Sequence, residues 1–353
     1  MKVRNMFVAA IFALMASPAL AQEFAGQTVN VIVNFTAGGP TDIEARIVAK
    51  HLPKYLHGVS SVIIRNVGGA SGNIGVNQLG EASAKDRLSL GFFTWNPLTQ
   101  ILQEETLRVR YSDLKLIAGM RQTTLIYIRR DTAPGINKPA DVAKAQPFRA
   151  GTMAPGGSNT IRQRLALDLL GAKYETIPGY KGLRDIDTAM LRGDIQLSNN
   201  SFPGYTTSAK PNMVDKGIAM PLLQYDRADG LPGRSPDLPD VPTFLEVYKE
   251  VWGAGAAPSG EKWQALQLLT RILDSMYRTI FMPPNAPSAA VTEMRRAFEK
   301  LSLDSEFIAQ YEKVVTTKPR FVIGAEGERI IADLASVQPS MVSFFRKYVE
   351  ATQ

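Results

Sequence analysis

The sequence of 353 residues contains no cysteine and only two histidines, His51 and His57. The absence of cysteine excludes disulfides, thiolate metal sites and cysteine nucleophiles. The two histidines do not share a helical face as paired metal ligands would, and they are predicted to be surface residues. Acid–base and metal catalysis therefore lack candidates, and no cofactor is expected.

Long runs of one charge sign and long apolar runs are also absent. The formal net charge is +7, but basic and acidic residues are interspersed, with no basic patch containing aromatic residues, so nucleic-acid binding has little support. A mild positive excess favours anionic partners only weakly. No segment offers the roughly 20 consecutive apolar residues of a membrane-spanning helix, so the mature chain is expected to be soluble.

The N-terminal residues have the order of a secretory signal. Lys2 and Arg4 precede an apolar run at 6–16, and Ala19-Leu20-Ala21 fits the small-x-small pattern of signal-peptidase sites. The sequence therefore predicts a signal peptide over 1–21, cleavage after Ala21 and a periplasmic location. About 330 residues remain, which is enough for two lobes.

Segments of strand and helix character alternate along the mature chain. Runs at 29–35, 59–65 and 88–94 have strand length and are separated by helical patterns. This spacing predicts an α/β fold with a parallel doubly wound sheet. The same pattern restarts at residue 148, which indicates a second lobe. Beyond a loop at 226–242, helices are predicted at 243–251, 260–277, 288–301, 305–311 and 327–350, with strands at 278–282 and 319–323.

The turn between the first strand and the first helix, Phe35-Thr36-Ala37-Gly38-Gly39-Pro40-Thr41-Asp42, is the most informative segment. Its glycines allow a ligand to approach the main chain. Pro40 suits the first helical position, and Thr41 or Asp42 can cap free amides. A helix N-terminus of this kind suits an anion, although a purely structural turn would also contain Gly and Pro.

A second segment, Gly151-Thr152-Met153-Ala154-Pro155-Gly156-Gly157-Ser158-Asn159-Thr160, repeats this pattern in the second lobe, with Ser158 as the predicted N-cap. Two such helix starts, one in each lobe, suit a ligand with two acidic ends held across a cleft. The pairing favours binding over a structural role.

Neutral polar residues follow other predicted strands, at Thr94-Trp95-Asn96-Pro97 and Ser198-Asn199-Asn200-Ser201. Ligands of doubly wound sheets bind at the carboxyl ends of strands, so these side chains are candidate contacts, and ordinary turn chemistry is a comparable explanation. Tyr180-Lys181-Gly182 is either a cationic edge of the cleft or a solvated turn.

Enzyme motifs fail on inspection. The glycines at Gly69, Gly72 and Gly75 resemble a dinucleotide loop, but Ala70 breaks the spacing. Around Ser158 the nucleophile-elbow pattern is broken by Thr160, which stands where the second glycine should be.

Five segments together resemble the Bug family, the extracytoplasmic solute receptors of tripartite tricarboxylate transporters. They are Phe35 to Asp42, Arg65-Asn66-Val67-Gly68-Gly69-Ala70-Ser71-Gly72-Asn73-Ile74-Gly75, Tyr180-Lys181-Gly182, Leu238-Pro239-Asp240-Val241-Pro242-Thr243 and Met282-Pro283-Pro284-Asn285-Ala286-Pro287. The order of the five makes the resemblance specific, and it covers most of the mature chain.

The resemblance implies a periplasmic-binding-protein fold of type II, with two chain crossings and a ligand cleft. Lobe one would comprise 22–128 and 226–353, and lobe two 129–225. It also implies a monomer that takes a di-, tri- or aromatic carboxylate, held mainly by backbone amides, to the membrane permease subunits of a transporter. The expected ligand-binding residues are Phe35, Thr36, Ala37, Gly38, Gly39, Thr41, Asp42, Thr94, Trp95, Asn96, Met153, Gly156, Gly157, Ser158, Asn159, Tyr180, Asn199 and Asn200.

Three features depart from the family pattern. Trp95 stands where a small residue is usual, and it either narrows the pocket, stacks on an aromatic acid or packs on the lobe surface. Pro155 changes the second loop. Residues 253–278 add a helix, which is expected to dock on the core rather than bind a partner. Two other functions remain open, a protein that presents its ligand to a sensor and an exported enzyme.

Overall fold

The computed structural model describes residues 23–225 and 233–351. The predicted signal peptide and its cleavage site lie outside the described residues. The strands are β1 (Thr28–Val33), β2 (Ser61–Asn66), β3 (Leu90–Thr94), β4 (Lys115–Met120), β5 (Thr124–Arg129), β6 (Phe148–Gly151), β7 (Tyr174–Ile177), β8 (Leu197–Ser201), β9 (Ala219–Gln224), β10 (Arg278–Met282) and β11 (Phe321–Ile323).

The helices lie between these strands and after them. They are α1 (Pro40–His51), α2 (Asn73–Gly80), α3 (Pro97–Leu102), α4 (Ser158–Leu169), α5 (Leu183–Arg192), α6 (Phe202–Gly204), α7 (Phe244–Trp252), α8 (Gly260–Ser275), α9 (Ser288–Leu303), α10 (Ser305–Val315), α11 (Ala325–Ala332) and α12 (Pro339–Glu350). A π-helix, Tyr205–Val214, continues α6. No helix in the described part of the chain is both long and apolar enough to span a membrane.

The first sheet has the strand order β11-β4-β10-β3-β1-β2. β1 pairs in parallel with β2 and β3, as the strand–helix–strand spacing predicts. β10 returns late in the chain, inserts between β3 and β4, and runs antiparallel to both. Every residue of β3 and β10 is buried, because helices cover both faces of the sheet at its centre.

The second sheet has the order β7-β6-β8-β5-β9 and confirms a two-lobed α/β fold. Here β5 pairs antiparallel with β8 and β9, so it belongs to the second lobe. The predicted boundary at 128 is therefore wrong, and the chain first crosses between Met120 and Thr124. Two apolar strands joined by a short connection are expected to be neighbours in one sheet, but here the connection links the two sheets.

The assignment of all of 226–353 to the first lobe is also wrong. α8 packs along α4, and α7 packs against β9, so both helices lie on the second lobe. The chain returns to the first lobe between Ser275 and Arg278, where α8 ends and β10 begins. The added helix, predicted to dock on the core, does so through its buried residues Ala265, Leu266, Leu269, Thr270 and Leu273.

Three local predictions need correction. The helix predicted over 327–350 is two helices, since α11 ends at Ala332 and Pro339, which suits a first helical position, starts α12. Asn199 and Asn200 lie inside β8 rather than in a turn after it. His57 is exposed as predicted, but His51 is 2 % exposed. The Nε2 atom of His51 lies 2.8 Å from Oε1 of Gln310.

Candidate functional site

Four helices begin at the cleft between the lobes, α1 and α3 on the first lobe and α4 and α5 on the second. The N-cap residues are Gly39, Asn96, Gly157 and Gly182, and none accepts a hydrogen bond from its own helix through a side chain. Pro40 is the first residue of α1, as predicted. The cleft is therefore bordered by helix ends whose amides and dipoles favour negative charge.

Two small cavities, of about 10 and 20 Å³, lie between these helix ends. Eleven of the expected ligand-binding residues line them: Phe35, Thr36, Gly39, Thr41, Thr94, Trp95, Asn96, Met153, Gly157, Ser158 and Asn159. The cavities are also lined by six residues that were not among the expected ligand-binding residues, Pro40, Ser71, Thr160, Gly182, Leu183 and Tyr277.

Trp95 belongs to the wall of the smaller cavity and to the core behind it. Its side chain is 1 % exposed, and its ring meets the edge of Tyr111 at a centroid distance of 6.1 Å. The indole Nε1 atom is buried without a hydrogen-bond partner in the described part of the chain. Trp95 thus reduces the space between the lobes instead of packing on a surface.

The remaining expected residues surround the cavities without lining them. A side chain on Gly38 or Gly156 would collide with Arg184 or Glu104 of the opposite lobe, so both glycines lie where the lobes touch. Ala37 is part of the first loop, and Tyr180 packs beside the core of the second lobe. These residues belong to the edge of the cleft.

Asp42 supports the first loop rather than facing the cavities. Its Oδ2 accepts hydrogen bonds from the Gly38 amide and from Nε of Arg46, both at 2.8 Å, and Oδ1 accepts from Asn66 at 3.0 Å. Burial acts to raise the pKa of Asp42, but these hydrogen bonds outweigh it and lower the pKa. An ionised Asp42 therefore holds the loop in shape.

Asn199 and Asn200 are occupied within the second lobe. The side-chain amide of Asn199 donates to Oε1 of Gln163 at 2.5 Å. The amide of Asn200 donates to the hydroxyl of Tyr127 at 3.5 Å, and its oxygen accepts from the Ser201 amide at 3.0 Å. Both asparagines therefore organise β8 beneath the cleft.

The N-terminus of α4 is closed by a residue of the other lobe. Gly157, not the predicted Ser158, is its N-cap, and Ser158 is the first helical residue. The Ser158 amide donates to Oδ1 of Asn96 at 2.9 Å, and the Ser158 hydroxyl donates to the same oxygen at 2.7 Å. The amides of Asn159 and Thr160 occupy the next positions of this first turn.

Glycines allow the lobes to approach closely. A Cβ atom on Gly157 would lie 2.8 Å from the Ser71 hydroxyl oxygen, and one on Gly182 would lie 2.7 Å from that of Thr36. Ser71 has a φ of 51°, a left-handed conformation that is uncommon outside glycine. The local sequence gives no signal for a serine in this conformation.

A buried ion pair lies behind the cavity wall on the first lobe. Arg278 donates from Nε to Oε2 of Glu44 at 2.7 Å and from Nη1 to the Thr94 hydroxyl at 2.6 Å. Glu44 also accepts from the Tyr311 hydroxyl at 2.7 Å and from Gln122. Arg278 and Glu44 are 1 % and 0 % exposed, so their charges are compensated by each other and by neighbouring polar groups rather than by solvent.

A second buried pair lies behind the wall on the second lobe. Arg162 donates from Nη1 to Oδ1 of Asp274 at 2.7 Å and from Nη2 to Oδ1 of Asn159 at 3.3 Å. Its guanidinium lies over the ring of Tyr225, 4.0 Å from the centroid. Burial raises the pKa of Asp274, and Arg162 offsets part of that rise.

Metal chemistry has no site in the described residues, which contain no cluster of three or more His, Asp or Glu side chains able to hold an ion. The site instead consists of helix ends, hydroxyl groups and amides, supported by two charged pairs. This composition is suited to holding an anion.

No family model matches the chain. Two curated relatives are similar over most of it. The UPF0065 protein in the TAR-I ttuE-ttuC' intergenic region of Agrobacterium vitis is 27 % identical over 333 residues, covering 89 % of this chain and 90 % of its own length. BugT of Bordetella pertussis is 25 % identical over 268 residues, covering 72 % of this chain and 78 % of its own. The resemblance to the Bug family thus extends over most of the chain.

Solved structures show the same fold. The periplasmic binding protein BugD aligns with a TM-score of 0.67 at 21 % identity, covering 91 % of this chain and 97 % of its own. MatC of Rhodopseudomonas palustris, solved with bound malate, aligns with a TM-score of 0.64 at 19 % identity over 92 % of this chain and 99 % of its own. An R. palustris protein solved with adipate aligns with a TM-score of 0.66 at 19 % identity, covering 92 % of this chain and 97 % of its own.

Three of the five segments that resemble the Bug family meet at the cleft. The first loop supplies Thr36, the glycine-rich segment supplies Ser71, and the Tyr180-Lys181-Gly182 segment supplies the glycine that contacts Thr36. The Leu238 to Thr243 segment lies elsewhere, where Thr243 caps α7. The family segments therefore have both binding-site and structural locations in this chain.

Proposed function

We propose that this protein is a periplasmic solute receptor that captures a small carboxylate between its lobes and delivers it to a tripartite tricarboxylate-type permease. The observation that carries this proposal is the convergence of four helix N-termini, three of them with glycine N-caps, on one cleft. The structural neighbours solved with malate and with adipate support a dicarboxylate as the ligand class.

Backbone amides provide the main recognition in this proposal. The first-turn amides of Thr41 and Asp42 in α1, and of Asn159 and Thr160 in α4, have no carbonyl partner within their own helix. One carboxylate of the solute accepts hydrogen bonds at α1 and the other at α4. Each charge then also interacts favourably with the positive end of a helix dipole.

Capture requires the lobes to separate first. Each of the two cavities has room for about one water molecule, whereas small-molecule sites begin at about 300 Å³. The connections at 121–123 and 276–277 join the lobes beside the cleft and are the hinge in this proposal. A solute that binds both lobes favours the closed population.

A thermal-shift screen tests solute binding. Purified protein is mixed with succinate, malate, citrate, adipate and benzoate, and at least one acid should raise the unfolding temperature in a concentration-dependent way. Calorimetry then measures its affinity. No response to any of these acids would contradict the proposed ligand class.

Delivery and turnover need separate measurements. Uptake of the radiolabelled acid should fall in cells that lack this protein and recover when it is supplied again. Normal uptake in the deletion strain would favour the sensor role, and conversion of the acid during incubation with purified protein would favour an enzyme.

A further inference from the structure

Arg278 reduces the capacity of the hydroxyl groups of the first lobe to accept further hydrogen bonds. An arginine can only donate, so the Thr94 oxygen must accept the 2.6 Å hydrogen bond from Nη1. Thr94 and Thr41 share a second bond, with 2.7 Å between their hydroxyl oxygens. Two hydroxyl groups carry two protons, and this bond uses one. The other proton remains available on Thr41 or Thr94, both of which line the larger cavity.

Arg162 has the same effect on the second lobe. It donates to Asn159, so the oxygen of that amide faces Arg162 and the nitrogen faces away. That nitrogen donates to the Tyr277 hydroxyl at 3.1 Å. The Tyr277 oxygen is thus an acceptor in this bond, and its proton has no acceptor among the described residues. Tyr277 also lines the larger cavity.

Both ion pairs have their positive end towards the cleft. The carboxylates of Glu44 and Asp274 do not line the cavities, whereas Thr94 and Asn159, to which the two guanidiniums also donate, do. The buried indole N–H of Trp95 adds a further donor without an acceptor to the wall of the smaller cavity. The wall therefore has an excess of donors and is next to positive charge.

The Tyr277 hydroxyl can donate a hydrogen bond only while it is protonated. Burial raises its pKa, although the nearby charges of Arg278 and Arg162 reduce that rise, so the phenol stays neutral. The phenol oxygen already accepts a hydrogen bond from Asn159. A group that meets the phenol proton can therefore only accept a hydrogen bond from it.

We propose that Arg278 and Arg162 are positioning residues that hold hydroxyl groups, Tyr277 above all, as hydrogen-bond donors in the cleft, so that the site selects an ionised carboxylate over the corresponding amide. The inference rests on the function proposed above and adds a basis for specificity to it. The nitrogen of the corresponding amide carries N–H groups, and the wall has few acceptors for them. When the amide binds, its N–H groups and the wall donors that face them are left without hydrogen bonds.

The experiment compares each acid with its monoamide by calorimetry near neutral pH. Succinate and succinamate, malate and malamate, and adipate and adipamate are the probe pairs. The wild-type protein should prefer the acid by at least about tenfold, because a hydrogen bond to a charged group is stronger than one to a neutral group. Tyr277→Phe should reduce this preference about tenfold while changing affinity for the monoamide little.

Tyr225→Phe is the matched control. Tyr225 is also a buried tyrosine, it lies against Arg162, and it does not line either cavity. Removal of its hydroxyl should leave the acid-to-amide preference unchanged. Arg278→Lys keeps a positive charge beside Glu44 but lacks the planar guanidinium whose second nitrogen reaches Thr94. It should therefore reduce the acid-to-amide preference as Tyr277→Phe does.

The outcomes separate this inference from the proposed function. Equal affinity of the wild-type protein for acid and amide would overturn the inference and leave the carboxylate receptor intact. An unchanged preference in Tyr277→Phe would also overturn it. If no acid binds to the wild-type protein, the proposed function fails and the inference fails with it. If Tyr277→Phe does not fold, Thr41→Val tests the first-lobe hydroxyls by the same ratio.

Discussion

Asn96 and Ser158, on opposite lobes, cap each other's helices. Oδ1 of Asn96 accepts from the Ser158 amide at 2.9 Å, and the Ser158 hydroxyl oxygen accepts from the Leu98 amide at 3.0 Å. One first-turn amide of α4 and one of α3 are thus satisfied across the cleft. Separation of the lobes breaks these bonds, so the pair stabilises the closed arrangement.

We expect Asn96→Ala to weaken binding of the best acid from the thermal-shift screen about tenfold, mainly by faster dissociation, because two hydrogen bonds of the closed form are lost. Asn96→Asp should weaken binding further, since it keeps an acceptor at α4 but repels the bound anion. Stopped-flow dissociation rates check both variants. Tighter binding in Asn96→Ala would show that Asn96 competes with the solute instead.

Gly157→Leu should prevent full closure, because even a Cβ atom at this position would lie 2.8 Å from the Ser71 oxygen. Affinity should fall at least about tenfold while the thermal unfolding temperature changes little. Gly255→Leu is the control, since nothing lies within 4 Å of a Cβ atom there. X-ray scattering should show a larger radius of gyration for Gly157→Leu, and a value equal to the wild type would contradict this prediction.

Asp274→Ala should lower the free energy of unfolding by about 3–5 kcal/mol, because it leaves the buried charge of Arg162 without its partner. Asp113→Ala removes the partner of Arg110 at the surface, where both side chains are more than 40 % exposed, and should cost less than about 1 kcal/mol. Urea unfolding measures both values. Equal losses would show that the Arg162–Asp274 pair is not isolated from solvent.

Asp187 makes stability depend on pH. Burial raises its pKa to about 6, above the usual value of an aspartate, so the folded state holds a proton that the unfolded state releases. The free energy of unfolding should therefore fall as pH rises from about 4 to about 6, by about 3 kcal/mol in total. Asp187→Asn should remove this loss. Urea unfolding of both proteins at several pH values checks this prediction. An equal fall in the free energy of unfolding with pH in the two proteins would contradict it.

Local chemistry predicted the parts of the site that lie within one segment of the chain. The glycines and Pro40 of the first loop indicate a helix N-terminus, and α1 begins there. The second glycine turn was predicted for the same reason, with an error of one residue in its N-cap. Such rules work because they depend on backbone conformation and on first-turn amides, which are properties of a few neighbouring residues.

The two buried ion pairs behind the cavity walls could not be predicted, because each pair joins segments that are distant in the sequence. Arg278 and Glu44 are 234 residues apart in sequence, and each alone has the pattern of an ordinary strand or helix residue. Tyr277 reaches the cleft only because the chain returns from α8 to β10 at that point. The lobe to which β5 belongs was likewise decided by pairing with β8 and β9, which no local pattern contains.

The position of Trp95 has a practical consequence for spectroscopy. The chain has three tryptophans, and Trp95 is the one in the cavity wall, whereas Trp252 is 54 % exposed and Trp263 stacks on Phe244 in the outer helices. Indole emission shifts with the polarity around the ring. With Trp252 and Trp263 replaced by Phe, the fluorescence of Trp95 alone would follow the cleft in real time without an attached dye.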